Sequence, residues 1–481
     1  MSLLATLPII PLPHTYTLGE GRVTMPATYA GDAFAHALTT LTDFARRTHA
    51  LSLTANDNAS IRFENDASLP TEGYTLAITA DGVIVRASDD KGAQNAAVTL
   101  IQLMEKDGDR LSLPVCTIED APECSWRAVM VDLARNWHDF SMLLEYVDLC
   151  RFYKIRSLHL HFTDDQSYTL PSRLFPKLST EGRSYTVEQI QELNEYAALR
   201  GVELIPEIDV PGHTTSFSAG YGDLFGTDGI ICLSDESMTA MKSLFRELCE
   251  MFPHSPYIHT GGDEAAILKW TECDKCLAAF RARGVDVDNM DKKALSQIMY
   301  ATFVKEMCKE VLACGKTPVV WEGFAAEVNH MIPREAVLAS WENYYQTTPS
   351  LRDAGFRLIN CSWNPMYIVY PATYWSQEDV YNWNVYTWKP MHEGSPYIKT
   401  GLAIEPTEQV EGGQLLAWGD HIANCFPDNI AAGVRGEMQI VEERTPGLAE
   451  NTWNRIKRTD WVEFSTRLKA VEALYQVFRN N

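Results

Sequence analysis

The feature that most restricts the fold of this 481-residue chain is a series of short apolar runs that alternate with amphipathic, helix-like segments. Short runs of this kind are typical of buried strands in a parallel sheet, and the segments between them have the periodicity of helices. The runs are 128–134 (AVMVDLA), 157–162 (SLHLHF), 202–208 (VELIPEI), 257–262 (YIHTGG), 317–323 (TPVVWEG), 336–341 (AVLASW), 357–363 (RLINCSW) and 414–419 (QLLAWG). Eight buried strands, each followed by a crossover, predict an α/β fold of the (β/α)8, or TIM-barrel, type.

A doubly wound open sheet fits the pattern less well, because none of the runs leads into a glycine-rich phosphate-binding turn. The segments between the runs predict helices that include 142–152, 187–200, 238–251, 293–313 and 446–457. The crossover from Asn364 to Glu411 is long, which indicates a functional loop.

The residues before the first run predict a small α+β domain. Helical periodicity covers 33–48 and 91–105, and strand-like patterns cover 74–78, 83–87 and 111–118, with a turn at Asp81-Gly82. Asp120-Ala121-Pro122 is a plausible boundary. We therefore predict a small α+β N-terminal domain over 1–120 and a catalytic barrel with a C-terminal helix over 121–481.

Charge and hydropathy exclude several classes of partner. The formal net charge of −23 argues against nucleic acid and anionic membranes. The apolar segment Leu3 to Ile10 is short, is interrupted by Pro8 and precedes the first basic residue, Arg22, so it does not resemble a secretory signal. We predict a cytoplasmic location, and a homodimer is one oligomeric state that the sequence allows.

The cysteines predict free thiols and no bound metal. Eleven scattered cysteines fit a reducing compartment better than a disulfide framework. Cys273 and Cys276 have a metal-like spacing, but a zinc site needs two further ligands and no second CxxC or HxxxH follows them. We therefore predict neither a metal nor a cofactor.

Reactive side chains stand at the ends of nearly all the predicted strands. In a TIM barrel the carboxyl ends of the strands share one rim, which carries the catalytic groups. That rim collects carboxylates, histidines, one arginine and three tryptophans: Asp132, Arg135, His159, His161, Asp164, Glu207, Asp209, His213, His259, Asp263, Glu264, Trp321, Trp341, Trp418 and Asp420. Convergence of so many such groups on one edge predicts an active or binding site.

The tryptophans indicate a carbohydrate ligand. The C–H face of a sugar ring stacks on an aromatic ring, while its hydroxyls bond to arginine and carboxylate groups. We therefore predict a sugar pocket formed by Arg135, Trp321, Trp341, Trp418 and Asp420.

The segment HTGGDEA, at 259–265, resembles the H-x-G-G-D-E signature of glycoside hydrolase family 20, the β-N-acetylhexosaminidases. WRAVMVDLAR, HLHFTDDQSY, GVELIPEIDVPGH, VVWEG and LLAWGD follow the order of that family's motifs, and the N-terminal unit is similar to the small domain that commonly precedes its barrel. The resemblance implies a retaining exo-acting enzyme that removes terminal β-linked GlcNAc or GalNAc from oligosaccharides or glycoconjugates.

The resemblance also implies why two carboxylates stand side by side. In substrate-assisted hydrolysis the 2-acetamido oxygen of the substrate is the nucleophile, so no second enzyme carboxylate is needed. Glu264 then matches the general acid and base, and Asp263 matches the group that orients the acetamide. Tyr367 would donate to the acetamide oxygen, and Asp164 with His213 would support the acid, whose pKa should be raised.

Two alternatives from other classes stay open. His159, His161, His213 and Asp263 could form the metal site of a metal-dependent hydrolase on the same barrel. The chain could also be a non-catalytic sugar-binding protein, although a binder does not need Asp263 and Glu264 together. One departure from the family's pattern is Val369, where an Asp or Asn that reaches sugar hydroxyls is common.

Overall fold

The computed structural model describes residues 7–31, 33–107, 110–372 and 374–481. Residues 3–6 of the apolar segment considered above lie outside this part. In the described residues, no helix has both the length and the apolar character that crossing a membrane requires.

The N-terminal part is a mixed sheet with two helices. Its elements are β1 (Thr15–Thr24), β2 (Thr28–Ala30), α1 (Ala35–His49), β3 (Thr54–Ala55), β4 (Ile61–Asn65), β5 (Tyr74–Thr79), β6 (Gly82–Ala87), α2 (Asp90–Leu103), β7 (Glu105–Asp107) and β8 (Arg110–Asp120). The strand order is β1-β8-β5-β6-β4-β2-β3, and β7 pairs with β8. Helix α2 is buried from Gly92 to Leu103 and packs on β5, β6 and α1. The predicted α+β architecture is confirmed.

The rest of the chain builds a closed parallel barrel. Its elements are β9 (Trp126–Asp132), α3 (Phe140–Phe152), β10 (Ser157–His161), α4 (Val187–Leu199), β11 (Glu203–Glu207), α5 (Thr215–Phe225), α6 (Asp235–Met251), β12 (Tyr257–His259), α7 (Asp274–Ala282), α8 (Lys292–Ala313), β13 (Thr317–Trp321), β14 (Val337–Ser340), α9 (Thr348–Asp353), β15 (Arg357–Asn360), α10 (Trp363–Met366), β16 (Tyr367–Ile368), α11 (Gln377–Asn382), β17 (Thr387–Trp388), β18 (Leu402–Ala403), β19 (Val410–Ala417), α12 (Ile422–Cys425), α13 (Ile430–Trp453) and α14 (Trp461–Arg479). Short 3-10 helices span Ile267–Glu272 and Ala326–Met331.

The eight predicted runs form the wall of this barrel. Strands β9 to β15 pair in sequence order, and β19 closes the ring by pairing with both β15 and β9. All eight strands are parallel to their neighbours, so their carboxyl ends lie on one rim. The predicted TIM barrel is confirmed.

The helix predicted over 446–457 differs in its bounds from the observed helix α13. The sequence pattern predicts a helix that begins at Pro446. In the structure α13 starts at Ile430 and Pro446 lies inside it. The prediction was wrong because the buried face of α13, which packs against β9 and β19, maintains the helix across a residue that lacks the backbone N–H.

Buried ion pairs join the sheet to the barrel. Both terminal nitrogens of the Arg127 guanidinium, on β9, donate to the carboxylate of Glu72 at 3.1 Å. The Lys154 ammonium lies 3.8 Å from the Asp120 carboxylate. The two parts are therefore held together by charge pairing as well as by apolar packing. The predicted boundary near residue 120 lies between β8 and β9 and stays a prediction.

Candidate active site

A cavity of about 210 Å³ opens at the carboxyl ends of the barrel strands. It is lined by Arg135, Asp209, His213, Asp263, Glu264, Trp341, Trp363, Tyr367, Val369, Trp418, Asp420 and His421. Eight of the ten site residues predicted from the sequence lie on this wall, and the other two, Asp164 and Trp321, lie behind it.

The loop after β12 positions the two adjacent carboxylates. Gly261 and Gly262 have φ angles of 67° and 120°, in the region that side chains resist. A Cβ atom at Gly261 would lie 2.0 Å from Oδ1 of Asp209, so only glycine lets the loop pass this close to the end of β11. The loop leaves Asp263 only 8% exposed, while the Glu264 side chain is 57% exposed. The two neighbours therefore stand in different environments.

His213 connects Glu264 to the barrel. Its Nε2 lies 3.4 Å from Oε2 of Glu264, and its Nδ1 lies 3.4 Å from Oδ1 of Asp164. Burial opposes a charge on the ring, but the carboxylates of Asp209, Asp164 and Glu264 raise the pKa of His213 well above its usual value. These contacts therefore favour the imidazolium form of the ring.

The hydrogen bond with His213 lowers the pKa of Glu264 in the free site. This differs from the raised pKa that a general acid was expected to have. Burial acts in the other direction, but Glu264 is too exposed for burial to prevail. His213 and Glu264 thus hold one proton between them, and that proton lies on the imidazole in the free site.

Asp263 and Asp209 form a second, buried carboxyl pair. Burial, followed by the charge of Asp263, raises the pKa of Asp209 well above its usual value. Burial also raises the pKa of Asp263. Oδ1 of Asp263 and Oδ1 of Asp209 accept no hydrogen bond within the described residues. The site therefore contains two buried carboxyl oxygens that receive no hydrogen bond from the part of the chain that the structure describes.

Arg135 is held rigidly at the wall of the cavity. Its guanidinium nitrogens lie 3.0 Å from Asp132, 3.0 Å from Asp164 and 3.5 Å from Asp420. The guanidinium carbon lies 5.0 Å from the ring centre of Trp418. A guanidinium fixed in this way can donate to hydroxyls with little loss of side-chain entropy.

Aromatic rings form the remaining wall. Tyr367 lies between Trp341, with ring centres 6.4 Å apart and planes 14° apart, and Trp363, with centres 4.5 Å apart. The ring of Trp418 lies 6.3 Å from that of Tyr367. These four rings create an apolar corner beside the buried Asp263.

Trp321 does not line the cavity. Its ring is buried in the barrel interior, where Nε1 donates to Oε1 of Glu207 at 2.6 Å. Glu207 also lies 3.1 Å from Nε2 of His159, 2.5 Å from Nδ1 of His161 and 3.0 Å from Nδ1 of His259. This network lies below the site, and His161 connects it to Asp164 through a contact of 3.1 Å.

The same network bears on the metal-dependent alternative. That alternative needs His159, His161, His213 and Asp263 around one ion, but Glu207 and Asp164 already engage the rings of His159 and His161. Of the described residues, none of the potential ligand groups contains both His159 and His213. The predicted metal-hydrolase constellation is therefore not assembled.

The sequence assigned no specific role to three cavity residues, although it placed one of them, Asp209, among the rim groups. Trp363 ends the seventh run, Asp209 follows the third, and His421 follows Asp420. The position of Trp363 and Asp209 at strand ends was a usable signal. His421 had none, because its place depends on the path of the chain after β19.

Family models match both parts of the chain. The model described as "Glycosyl hydrolase family 20, catalytic domain" matches residues 124–455, and "Glycosyl hydrolase family 20, domain 2" matches residues 6–121. Among solved structures, the β-N-acetylhexosaminidase of Bacteroides fragilis is similar over 98% of this chain and 96% of its own, with a TM-score of 0.78 and 22% identity. At that identity the likeness shows the fold.

Curated relatives point to the same family. The β-hexosaminidase of Akkermansia muciniphila is 32% identical over 337 residues, which are 63% of this chain and 66% of that protein. The human β-hexosaminidase subunit beta is 25% identical over 372 residues, which are 73% of this chain and 62% of that protein. The chain thus spans slightly less than two thirds of the length of these relatives. With its catalytic-domain match across 124–455, the chain belongs to glycosyl hydrolase family 20.

Proposed function

We propose that the protein is a retaining exo-β-N-acetylhexosaminidase that removes terminal β-linked N-acetylhexosamine from oligosaccharides or glycoconjugates. The relatives named β-hexosaminidase in Akkermansia muciniphila and in human support this activity. A cavity walled by aromatic rings, with one arginine and several carboxylates, supports a single sugar ring as the group that is bound.

The observation that carries the mechanism is Asp263, which lines the cavity together with the aromatic rings and whose buried Oδ1 has no hydrogen-bond donor among the described residues. A buried acceptor without a donor is costly, so a ligand that brings an N–H group is favoured there. The 2-acetamido group has such an N–H, and its methyl group suits the corner formed by Trp341, Trp363, Tyr367 and Trp418. Asp263 would therefore orient the acetamide, and the Tyr367 hydroxyl would donate to its carbonyl oxygen.

Glu264 would supply the proton. A bound sugar covers its exposed carboxyl, and the loss of water raises its pKa, which favours transfer of the shared proton from His213. The acetamide oxygen attacks the anomeric carbon, the glycosidic C–O bond breaks, and the proton of Glu264 passes to the leaving oxygen. Water then opens the oxazolinium ring while Glu264 accepts its proton, which retains the β configuration.

The test compares hydrolysis of an aryl β-N-acetylglucosaminide with that of the matching aryl β-glucoside. We expect cleavage of the first only, because the glucoside lacks the internal nucleophile. Similar rates on both would disprove substrate assistance. A lack of cleavage of both, with binding of N-acetylglucosamine in calorimetry, would instead support the sugar-binding alternative.

The Glu264→Gln variant tests the assigned acid. Glutamine keeps the shape but cannot give up the proton, so kcat/KM should fall by about 10² to 10⁴-fold. Glu272→Gln is the matched control, because Glu272 lies in the same segment, is exposed and forms an ion pair with the exposed Lys292. A loss of less than about tenfold in the Glu264 variant would contradict the role.

A further inference from the structure

Three cysteine thiols meet outside the cavity described above. Cys232 lies between α5 and α6, Cys273 precedes α7, and Cys276 lies in its first turn. The three sulfur atoms all lie within 4.8 Å of one another, and Sγ of Cys232 is 3.8 Å from Sγ of Cys276. Cys232 and Cys276 are buried and Cys273 is half-buried. The sequence spacing alone did not reveal this cluster, because Cys232 is distant along the chain.

The spacing of the sulfur atoms fits a thiolate metal site. Four thiolates around zinc, with Zn–S distances of about 2.3 Å, place their sulfur atoms about 3.8 Å apart along the edges of a tetrahedron. The contact between Cys232 and Cys276 has this length. It is much longer than a disulfide bond of about 2.05 Å. The backbone N–H of Leu233 donates to Sγ of Cys276 at 3.2 Å. Hydrogen bonds of this kind, from groups outside the first coordination sphere, orient the ligands of a metal.

We propose that Cys232, Cys273 and Cys276 together bind one zinc ion. Thiolates select a soft or borderline cation, and zinc commonly accepts three or four of them. No fourth Cys, His, Asp or Glu joins this group in the described part of the chain. A cavity of about 270 Å³ borders all three cysteines, so a fourth coordination position on this side would be open to water. The same cavity gives the ion an entry path.

The site would join the two segments that carry the catalytic groups. The chain after His213 runs through α5 to Cys232, and the chain after Glu264 runs through Ile267–Glu272 to Cys273. Hydrogen bonds already link them here: Nε1 of Trp270 donates to the carbonyl oxygen of Ile231 at 2.8 Å, and Nζ of Lys269 donates to the carbonyl oxygen of Asp228 at 2.6 Å. Zinc would make this link much stronger and so limit the relative movement of His213 and Glu264.

The test measures metal content independently of any glycosidase activity. The full chain is purified without a histidine tag under reducing conditions, incubated with Zn²⁺ and desalted. Its zinc content per chain is then measured by inductively coupled plasma mass spectrometry. We expect about one zinc ion per chain. Replacement of zinc by Co²⁺ should produce a thiolate-to-cobalt charge-transfer band in the near ultraviolet.

Variants locate the ion. Cys232→Ser and Cys276→Ser should lose the zinc and the cobalt band, whereas Cys314→Ser, which removes an exposed thiol elsewhere, should keep both. A chelator should lower the unfolding temperature of the wild type but not that of Cys232→Ser. If a serine variant fails to fold, the stoichiometry and the cobalt spectrum of the wild type still decide.

Three results of the metal-binding experiments would overturn the proposal. They are wild-type chain without zinc after incubation, a cobalt complex without the thiolate band, and zinc retained equally by both serine variants. A disulfide between Cys232 and Cys276 in freshly reduced and desalted protein would do the same. None of these outcomes bears on the proposed glycosidase activity, which is measured separately.

Discussion

At the residue scale, the charge state of Glu264 depends on a neighbour from another strand. The sequence places Glu264 beside Asp263, and a second carboxylate raises a pKa. His213, which follows β11, reverses that effect with its hydrogen bond. Glu264 can therefore obtain a proton from His213, because the two side chains share one proton. It is retained until the pH rises through the raised pKa of His213.

A pH profile of His213→Asn tests this sharing. Without His213, the essential proton is held by Glu264 alone and is lost at a lower pH, so the alkaline limb of kcat/KM should move down by about one pH unit or more. The carboxyl groups of Asp164, Asp209 and Asp263 still face the position of the lost ring. Burial raises the pKa of Asp209 and of Asp263, so these two groups carry less negative charge than exposed carboxyls would. His254→Asn, at an exposed position, is the control. An unchanged alkaline limb would contradict the sharing.

At the element scale, closure of the barrel depends on one glycine of β19. Gly412 pairs with Trp126 of β9 and has a φ angle of 147°. A Cβ atom there would lie 1.9 Å from the carbonyl oxygen of Trp126. The approach of the last strand to the first therefore requires a residue without a side chain.

The Gly412→Ala variant should lower the free energy of unfolding by about 2 to 3 kcal/mol, since the backbone must move at the seam. Gly315→Ala is the matched control: its φ angle is also positive, at 75°, but a Cβ atom there meets no atom within 4 Å. The control should lose only about 1 kcal/mol. Denaturant unfolding measures both, and equal losses would show that the contact with Trp126 is unimportant.

At the scale of the whole molecule, the sheet and the barrel are coupled through Glu72. Burial opposes its charge, but Arg127 and Arg156 lower the pKa of Glu72 to about 2. Because the folded pKa is depressed, the pair stabilises the protein above the unfolded value of about 4.3, and this stability is lost as the pH falls towards the folded pKa. The coupling should therefore be strong at neutral pH and weak in acid.

The Glu72→Gln variant should lower the free energy of unfolding at pH 7 by about 3 kcal/mol, because it leaves Arg127 buried without its charge partner. Near pH 2 the difference from the wild type should largely disappear. Glu64→Gln, which breaks an exposed pair with Arg86, should cost at most about 1 kcal/mol. A Glu72 variant as stable as this control would exclude a role for the buried pair in joining the two parts.

The sequence by itself determined the order of the strands, the barrel, the small α+β unit and the rim that carries Asp263 and Glu264. These follow from local patterns, because the spacing of apolar residues along a short segment indicates whether it forms a buried strand or an amphipathic helix. The cytoplasmic location is not of this kind and stays a prediction, and the homodimer stays one oligomeric state that the sequence allows.

Only the tertiary structure decided which distant residues meet. It turned Trp321 inward onto Glu207, set Cys232 against Cys273 and Cys276, continued α13 through Pro446 and gave His213 control of the proton of Glu264. Each of these depends on the path of a loop or on packing between elements far apart in the chain. Electrostatic and packing energies act through space, so neighbours that are remote in sequence can outweigh a residue's local preference.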